Sequence, residues 1–228
     1  MRENLPDPVR AWTALKGTGS DRCPGLEEPG KLDTTRDGAM TKYQDLIREI
    51  DRLSGRLSER YRPHLVCRAG CSGCCQCDLS IFEIEAAEVL RALLSLSPTL
   101  RSRIGQNARD ARLCREQGEP HSCPFLLADQ CSSYASRPVI CRTQGLPLLY
   151  TAEDGTAEVD FCPLNFTAPG ATEELEEFHL VPLESVNLRL ALANLEYYNP
   201  IDHTPSDSGE RILMTDLILQ SSENLRNL

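Results

Sequence analysis

The sequence has few aromatic residues, no excess of positive charge and no long apolar run. Aromatic side chains make up 5% of the 228 residues, and the formal net charge is -10. Because an acidic chain repels a phosphate backbone, we expect no direct nucleic-acid partner. No stretch reaches the ~18 uncharged apolar residues of a membrane span, and the first residues lack the apolar segment of a signal peptide. We therefore expect a cytoplasmic protein without a membrane partner.

Cysteine, in contrast, is abundant, with 11 residues in the chain. In a reducing compartment thiols stay free unless they bind metal or take part in redox chemistry. The odd number of cysteines and the adjacent pair Cys74 and Cys75 argue against a disulfide framework. This composition therefore points to metal binding.

Composition divides the chain into three parts. Residues 1–39 collect prolines and glycines without a sustained period, which predicts a disordered N-terminal extension, and we expect regular structure to start directly after Met40. Met40 is therefore a hypothetical native initiation site, which peptides from residues 1–39 in mass spectrometry of the native N-terminus would contradict. Residues 40–200 are predicted to form a cysteine-cluster metal-binding domain. Residues 201–228 are predicted to be a C-terminal tail with a helix.

The spacing of apolar residues predicts two helices around the cysteine run. From Tyr43 to Leu57 the apolar positions recur every three or four residues, which is typical of an amphipathic helix, and Pro63 should end it. After the run, Ser80 and Glu83 have the spacing of a capping box, which predicts the start of a second helix. The cysteines should therefore lie in an irregular connection between helices.

The remainder of the chain adds helices and one hairpin. Ser97 and Pro98 predict the start of a third helix that continues toward Gly118. The segments LPLLYT and TAEVDF flank a turn at residues 154–155, which predicts a β-hairpin. A further helix is predicted around residues 188–195. The expected fold is mainly α, with a cysteine-rich irregular core and a small β-hairpin.

The segment CRAGCSGCCQC at residues 67–77 is the densest group of possible ligands. Cys67, Cys71 and Cys74 are spaced four and three apart, so a helical or tightly turned backbone would direct their sulfur atoms toward one point. Adjacent residues do not share a face, so Cys74 and Cys75 leave open either two metal centres or one unused donor. Four further donors follow at Cys123, Cys131, Cys141 and Cys162. Four plus four thiols would suit two four-coordinate ions, or a cluster and an ion.

Three blocks of this sequence resemble the YkgJ-type cysteine-cluster proteins, which are described as zinc- or iron-chelating. The blocks are CRAGCSGCC, CPFL at 123–126 and CSSYASRPVICR at 131–142. The resemblance implies that the metal ligands are Cys67, Cys71, Cys74, Cys75, Cys123, Cys131 and Cys141. Cys77 and Cys162 are not fixed by the family pattern, but the hairpin should bring Cys162 to the same end as Cys141, so Cys162 joins the predicted set. Thiolates favour zinc or iron over magnesium or calcium.

Other polar residues near these blocks have weaker claims to a role. Arg142 or Arg137 could offset the negative charge of several thiolates, and Arg142 is preferred because it adjoins a predicted ligand, although both could be solvated surface residues. His64 and His121 lie close to predicted ligands in sequence, yet we expect surface histidines there. Cys114 falls beside the apolar stripe of the third helix and is expected to pack as a small hydrophobic residue.

Three classes of function are compatible with the sequence. The first is a non-enzymatic metal protein, either a structural module or a carrier, since thiols outnumber any visible catalytic group. The second is an iron–sulfur protein, including an enzyme, because Cys67, Cys71 and Cys74 have the spacing of the radical S-adenosylmethionine motif and flagellin lysine methylases carry a similar cysteine-cluster region. Gly73 departs from that motif, which favours an aromatic residue at this place. The third is a protein-binding module in which metal only stabilises the fold.

Overall fold

The computed structural model describes residues 34–198 and 209–226, so residues 1–33 of the predicted extension and part of the predicted tail lie outside it. In the described part the chain forms six α-helices: α1 Thr34–Arg60, α2 Glu83–Ser95, α3 Pro98–Gln117, α4 Val139–Thr143, α5 Leu183–Tyr197 and α6 Met214–Arg226. The short strands are β1 Ser80–Ile81, β2 Leu126–Leu127, β3 Gln130–Cys131, β4 Leu148–Thr151, β5 Ala157–Asp160, β6 Val181–Pro182 and β7 Ile212–Leu213. The predicted mainly α fold is confirmed. No helix in these residues is both long and apolar enough to cross a membrane.

Helix α1 starts earlier than the sequence predicts. It begins at Thr34, so the expectation that regular structure starts only after Met40 is wrong. The reason is that the apolar stripe of the helix already includes Ala39, which is fully buried together with Tyr43. At the other end the prediction is confirmed, because α1 stops at Arg60 and Pro63 lies in the next short turn.

The start of α2 is capped differently from the prediction. Ser80 is not part of a capping box, because it belongs to β1 and pairs with Leu213 of β7. Instead, the backbone N–H of Phe82 donates to the carboxylate of Glu85 over 3.1 Å. The other oxygen of the same carboxylate accepts the N–H of Val139 over 2.9 Å, at the start of α4. One buried carboxylate therefore joins the first turns of two helices.

Two clusters of buried apolar side chains hold the helices together. The first cluster combines α1 and α5 with the β4 region and includes Ile84 from α2. The second combines α3 and α6 with Val89 on another face of α2 and with Phe125 from the cysteine-rich segment. Helix α2 is therefore the shared wall between the two clusters. The cysteine run lies in the segment before α2, and Phe125 of the second cluster lies between Cys123 and Cys131 in sequence.

The predicted hairpin is confirmed as β4 and β5, which pair antiparallel from Leu148 opposite Asp160 to Thr151 opposite Ala157. Strand β6 adds a parallel partner for β4, which local sequence could not predict because it comes from a distant part of the chain. A second hairpin, β2 with β3, turns through two residues with positive φ, 49° at Ala128 and 58° at Asp129. Both hairpins end next to a cysteine of the predicted site.

Candidate metal centre

The cysteine run between α1 and α2 is a series of tight turns. The N–H of Cys71 donates to the carbonyl of Arg68, and the N–H of Cys75 donates to that of Ser72, each over 2.9 Å. The second turn is a short 3-10 helix over Gly73–Cys75. These turns leave Cys67, Cys71 and Cys74 exposed, whereas Cys75 is half-buried. The backbone therefore presents most of the run at the surface.

Hydrogen bonds join the run to the segment that contains Cys123 and Cys131. The bonds are Cys123 N–H to the Cys75 carbonyl (2.7 Å), Ser122 Oγ to Gln76 Oε1 (2.6 Å) and Ser72 Oγ to Asp129 Oδ1 (2.8 Å). The last of these fixes the tip of the β2–β3 hairpin to the run. Two blocks that are separate in sequence thus become one surface.

Asn165 connects the beginning of the run to the segment after the β4–β5 hairpin. Its Oδ1 accepts the N–H of Val66 over 2.9 Å, and its Nδ2 donates to the carbonyl of Gly145 over 2.7 Å. The same Nδ2 lies 3.7 Å from the sulfur of Cys67, to which it also donates. The backbone N–H of Asn165 donates to the carbonyl of Cys162 over 2.8 Å. With a relative exposure of 1%, this amide is a buried bridge between the three segments.

Gly145 permits the closest approach within this bridge. Its φ of +89° is unfavourable for residues with a side chain, and a Cβ atom built there would lie 3.0 Å from the sulfur of Cys67. The same point is 3.8 Å from the Cβ of Cys162. The structure therefore brings Cys162 to Cys67, whereas the hairpin argument from sequence associated it with Cys141.

The thiol of Cys67 has three other thiols as electrostatic neighbours. Burial raises the pKa of Cys67, and the hydrogen bond from Asn165 opposes this increase. The nearby Cys71, Cys162 and Cys74 raise it further, because negative charge on any of them disfavours a second thiolate. The first part of the run and Cys162 thus form one neighbourhood.

A second neighbourhood lies on the inner side of the run. Cys75 donates a hydrogen bond to Cys74, which raises the pKa of Cys75 and lowers the pKa of Cys74 to about 6. The nearby Cys123 and Cys141 raise the pKa of Cys75 further. Burial raises the pKa of Cys123 to about 12, with a further increase from Cys131. Burial also raises the pKa of Cys141 well above its usual range, with contributions from Cys123 and Cys131. Four thiols from separate segments of the chain therefore lie close together, namely Cys75, Cys123, Cys131 and Cys141.

The donor set has the right chemistry for a thiophilic metal, since thiolates bind zinc and iron well. In residues 34–198 and 209–226, however, no three His, Cys, Asp or Glu side chains already stand in a group that could hold an ion. The thiols are neighbours without forming a closed cage. Ligation would therefore include deprotonation and rotation of the cysteine side chains, as is usual when binding is coupled to local ordering.

The two candidate arginines differ in their surroundings, and the preference for Arg142 is wrong. Its guanidinium is buried and donates to both carboxylate oxygens of Asp51 over 2.7 and 2.8 Å. It also donates to the carbonyls of Arg137 and Ala135 over 2.7 and 2.5 Å. Arg142 is therefore a structural ion-pair partner that holds the loop before α4.

Arg137 is the cation that faces the thiols. Its guanidinium carbon lies 3.4 Å from the ring centre of Tyr134, and its Nη1 donates to the carbonyl of Cys141 over 3.4 Å. The positive charge lowers the pKa of Cys74, Cys131 and Cys141, against the effect of burial. Arg137 thus favours the thiolate form of one cysteine in the run and of two cysteines in the later block.

The other possible ligands near the run, His64, His121 and Cys77, make contacts with neighbouring protein groups. His64 pairs with Glu174 over 3.1 Å and stacks on Phe166 at 5.6 Å between ring centres. His121 contacts the carbonyl of Glu119 over 3.4 Å through Nδ1. The thiol of Cys77 donates to the carbonyl of Cys74 over 3.7 Å. Cys77 also lies near Cys123, at the edge of the second neighbourhood.

Sequence reasoning did not identify Asn165, Gly145 or Glu85. Asn165 stands three residues after a cysteine, and Gly145 three residues after Arg142, but these short spacings carry no chemical signature. Their importance comes from contacts between distant segments. Only the positive φ at Gly145 has a weak sequence signal, because glycine is the residue that accepts this conformation most easily.

Comparison with known families gives one match. Residues 66–163 match the CxxCxxCC family, described as a "putative zinc- or iron-chelating domain". The match spans all eight predicted ligands, from Cys67 to Cys162, and confirms the cysteine-cluster resemblance. Comparison with curated proteins and with solved structures gave no match.

Proposed function

We propose, from the match of residues 66–163 to the CxxCxxCC family model, that the clustered thiolates of this chain chelate zinc or iron in a structural or carrier role. The observation that carries the proposal is the proximity of thiols from distant segments. Cys67 has Cys162 as a neighbour, and Cys75 has Cys123 and Cys141. Packing alone would not require eight thiols in one region. The proposed ligands are Cys67, Cys71, Cys74, Cys75, Cys123, Cys131, Cys141 and Cys162.

Residues around the thiols support this role by favouring the charged form of the ligands. Asn165 donates a hydrogen bond to Cys67, and Arg137 lies near thiols of the run and of the later block. Such surrounding donors and charges orient ligands and tune the affinity of a site. A bound ion would add a cross-link between the three segments.

Metal analysis of the full chain, purified without oxygen and without added chelator, tests the proposal. We expect zinc or iron to copurify, and we expect Cys71→Ser and Cys131→Ser each to reduce the bound metal. Cys114→Ser is the matched control, because this cysteine lies on α3 and outside the predicted ligand set, so it should leave the metal content unchanged. Absence of metal in the native chain after reconstitution with zinc and with iron would refute the proposal.

An iron–sulfur cluster is the second candidate, and the N–H···S contact of Asn165 favours it. Hydrogen bonds to cluster sulfur atoms are a principal means by which proteins set cluster potentials. The visible spectrum of the oxygen-free protein separates the two cases. A brown protein that bleaches on reduction and contains acid-labile sulfide indicates a cluster, whereas a colourless protein with stoichiometric zinc rules it out.

A further inference from the structure

The thiols differ in accessibility in a way that divides them into two sets. We propose that Cys67, Cys71, Cys74 and Cys162, the exposed quartet, bind an exchangeable ion, and that Cys75, Cys123, Cys131 and Cys141, the inner quartet, bind a structural one. This inference rests on the proposed function and deepens it. It assigns a carrier role to one centre and a stabilising role to the other.

The exposed quartet is defined by the surface position of three of its thiols and by the neighbours of Cys67. Cys67, Cys71 and Cys74 are exposed in the turns of the run. Cys162 is half-buried and joins them as an electrostatic neighbour of Cys67. Its Cβ and the Cys67 sulfur both lie beside Gly145, at 3.8 and 3.0 Å from the point where a Cβ of residue 145 would stand. The contacts of Asn165 with Val66, Cys67 and Cys162 hold the two segments in this arrangement.

The inner quartet is attached to the second apolar cluster. Cys123 and Cys131 pack against that cluster, and Cys141 lies near both of them. Cys75 reaches the same place because its carbonyl accepts the N–H of Cys123 over 2.7 Å. Loss of an ion from these four thiols would therefore disturb side chains that belong to the core.

The adjacent pair Cys74 and Cys75 divides between the two quartets. Both residues lie in the 3-10 turn Gly73–Cys75, in which successive side chains point about 120° apart, given three residues per turn. Cys74 is accordingly exposed and Cys75 half-buried. The pair would be difficult to use in one tetrahedral site, but it suits two sites that share a boundary.

Accessibility determines how each ion can leave. A competing ligand can approach the exposed quartet from solvent and displace its thiolates one at a time. At the inner quartet the competitor must first open contacts of the apolar cluster, so release is linked to local unfolding, and the ion contributes to folding stability.

Zinc release from the full chain tests this inference. The zinc-loaded protein is mixed with excess of a chromophoric chelator, and we expect two phases of equal amplitude. Cys67→Ser and Cys162→Ser should abolish the fast phase, and Cys131→Ser and Cys141→Ser the slow phase, while Cys114→Ser retains both. A single phase in the native chain, or loss of the same phase in all four variants, would overturn the inference.

A second measurement avoids the risk that a variant fails to fold. The native chain is treated with chelator until the fast phase ends, then alkylated with iodoacetamide and mapped by mass spectrometry. We expect alkylation of the exposed quartet and protection of the inner quartet, with a melting temperature that falls only after the slow phase. Alkylation that mixes members of the two sets contradicts the division.

The two proposals fail in different ways. If the native chain binds neither zinc nor iron, the proposed function itself is wrong. If it binds one ion that protects thiols of both quartets together, metal binding stands but the division into two centres is wrong.

Discussion

Replacement of Asn165 by alanine separates the role of this amide in the site from its role in the fold. The side chain makes two close hydrogen bonds, to the Val66 N–H over 2.9 Å and to the Gly145 carbonyl over 2.7 Å, and one longer contact with the Cys67 sulfur over 3.7 Å. Truncation removes all three and leaves the N–H of Val66 and the carbonyl of the buried Gly145 without these partners. We therefore expect a loss of both stability and zinc at the exposed quartet.

The size of the stability loss follows from these bonds. A buried group left unsatisfied costs about 1–3 kcal/mol. Val66 is 40% exposed, so water can partly replace its partner, whereas Gly145 is buried. The expected decrease in the free energy of unfolding for Asn165→Ala is therefore about 2–4 kcal/mol, measured by urea denaturation of the zinc-loaded protein.

Asn194 provides a matched control for this prediction. It is equally buried, and its Oδ1 accepts the N–H of Ile84 in α2 over 3.1 Å. Asn194→Ala should lose a similar amount of stability but keep both phases of zinc release. Asn165→Ala should speed up the fast phase at least tenfold. Equal release rates in the two variants would refute the reasoning that Asn165 acts on the site.

Three further predictions concern other contacts around the site. Gly145→Ala and Gly155→Ala both place a side chain at positive φ and should each cost about 1–2 kcal/mol, but only Gly145→Ala should weaken zinc binding, because its Cβ alone meets a ligand sulfur. Arg142→Ala should lower the free energy of unfolding by about 2–4 kcal/mol, because it removes the bonds of a buried guanidinium to two backbone carbonyls and to the half-exposed Asp51. Arg137→Ala should instead lower zinc affinity with little change in stability. Titration with a competing chelator and urea denaturation measure the two effects. Burial raises the pKa of Glu85 above its ordinary 4.5, so the folded state holds this proton more tightly and the resulting stability is lost as pH rises through the folded pKa. The free energy of unfolding of the native chain, relative to that of Glu85→Gln, should therefore fall with increasing pH in urea titrations. A rise would contradict a raised pKa of Glu85.

The regular elements were largely predictable because their signals are local. The third helix begins after Ser97 and ends at Gly118 with φ of +72°, as its capping residues indicate. The hairpin around residues 154–155 has its turn where glycine and aspartate predict it. Predictions of local structure were wrong where a segment distant in sequence forms the contact. Ser80 failed as a cap because β7, far along the chain, pairs with it.

The same distinction between local signals and contacts of distant segments applies to the cysteine site. Sequence indicated the type of chemistry and the eight candidate ligands, because thiol density and family pattern are visible without coordinates. It associated Cys162 with Cys141 and preferred Arg142 over Arg137, since neighbours in sequence were the only guide. The structure brings Cys162 to Cys67 through Gly145 and pairs Arg142 with Asp51. Both differences arise from contacts between segments that local patterns do not relate.

The sequence by itself determined the donor type, the order of the cysteine blocks and the helices that flank them, since ligand chemistry and helix periodicity depend on residue identity and short spacing. Only the tertiary structure decided which thiols are neighbours and which are exposed. The physical reason is that accessibility depends on the packing of the whole chain: the turn at Gly73–Cys75 leaves Cys74 exposed and Cys75 half-buried, beside thiols that contact the core.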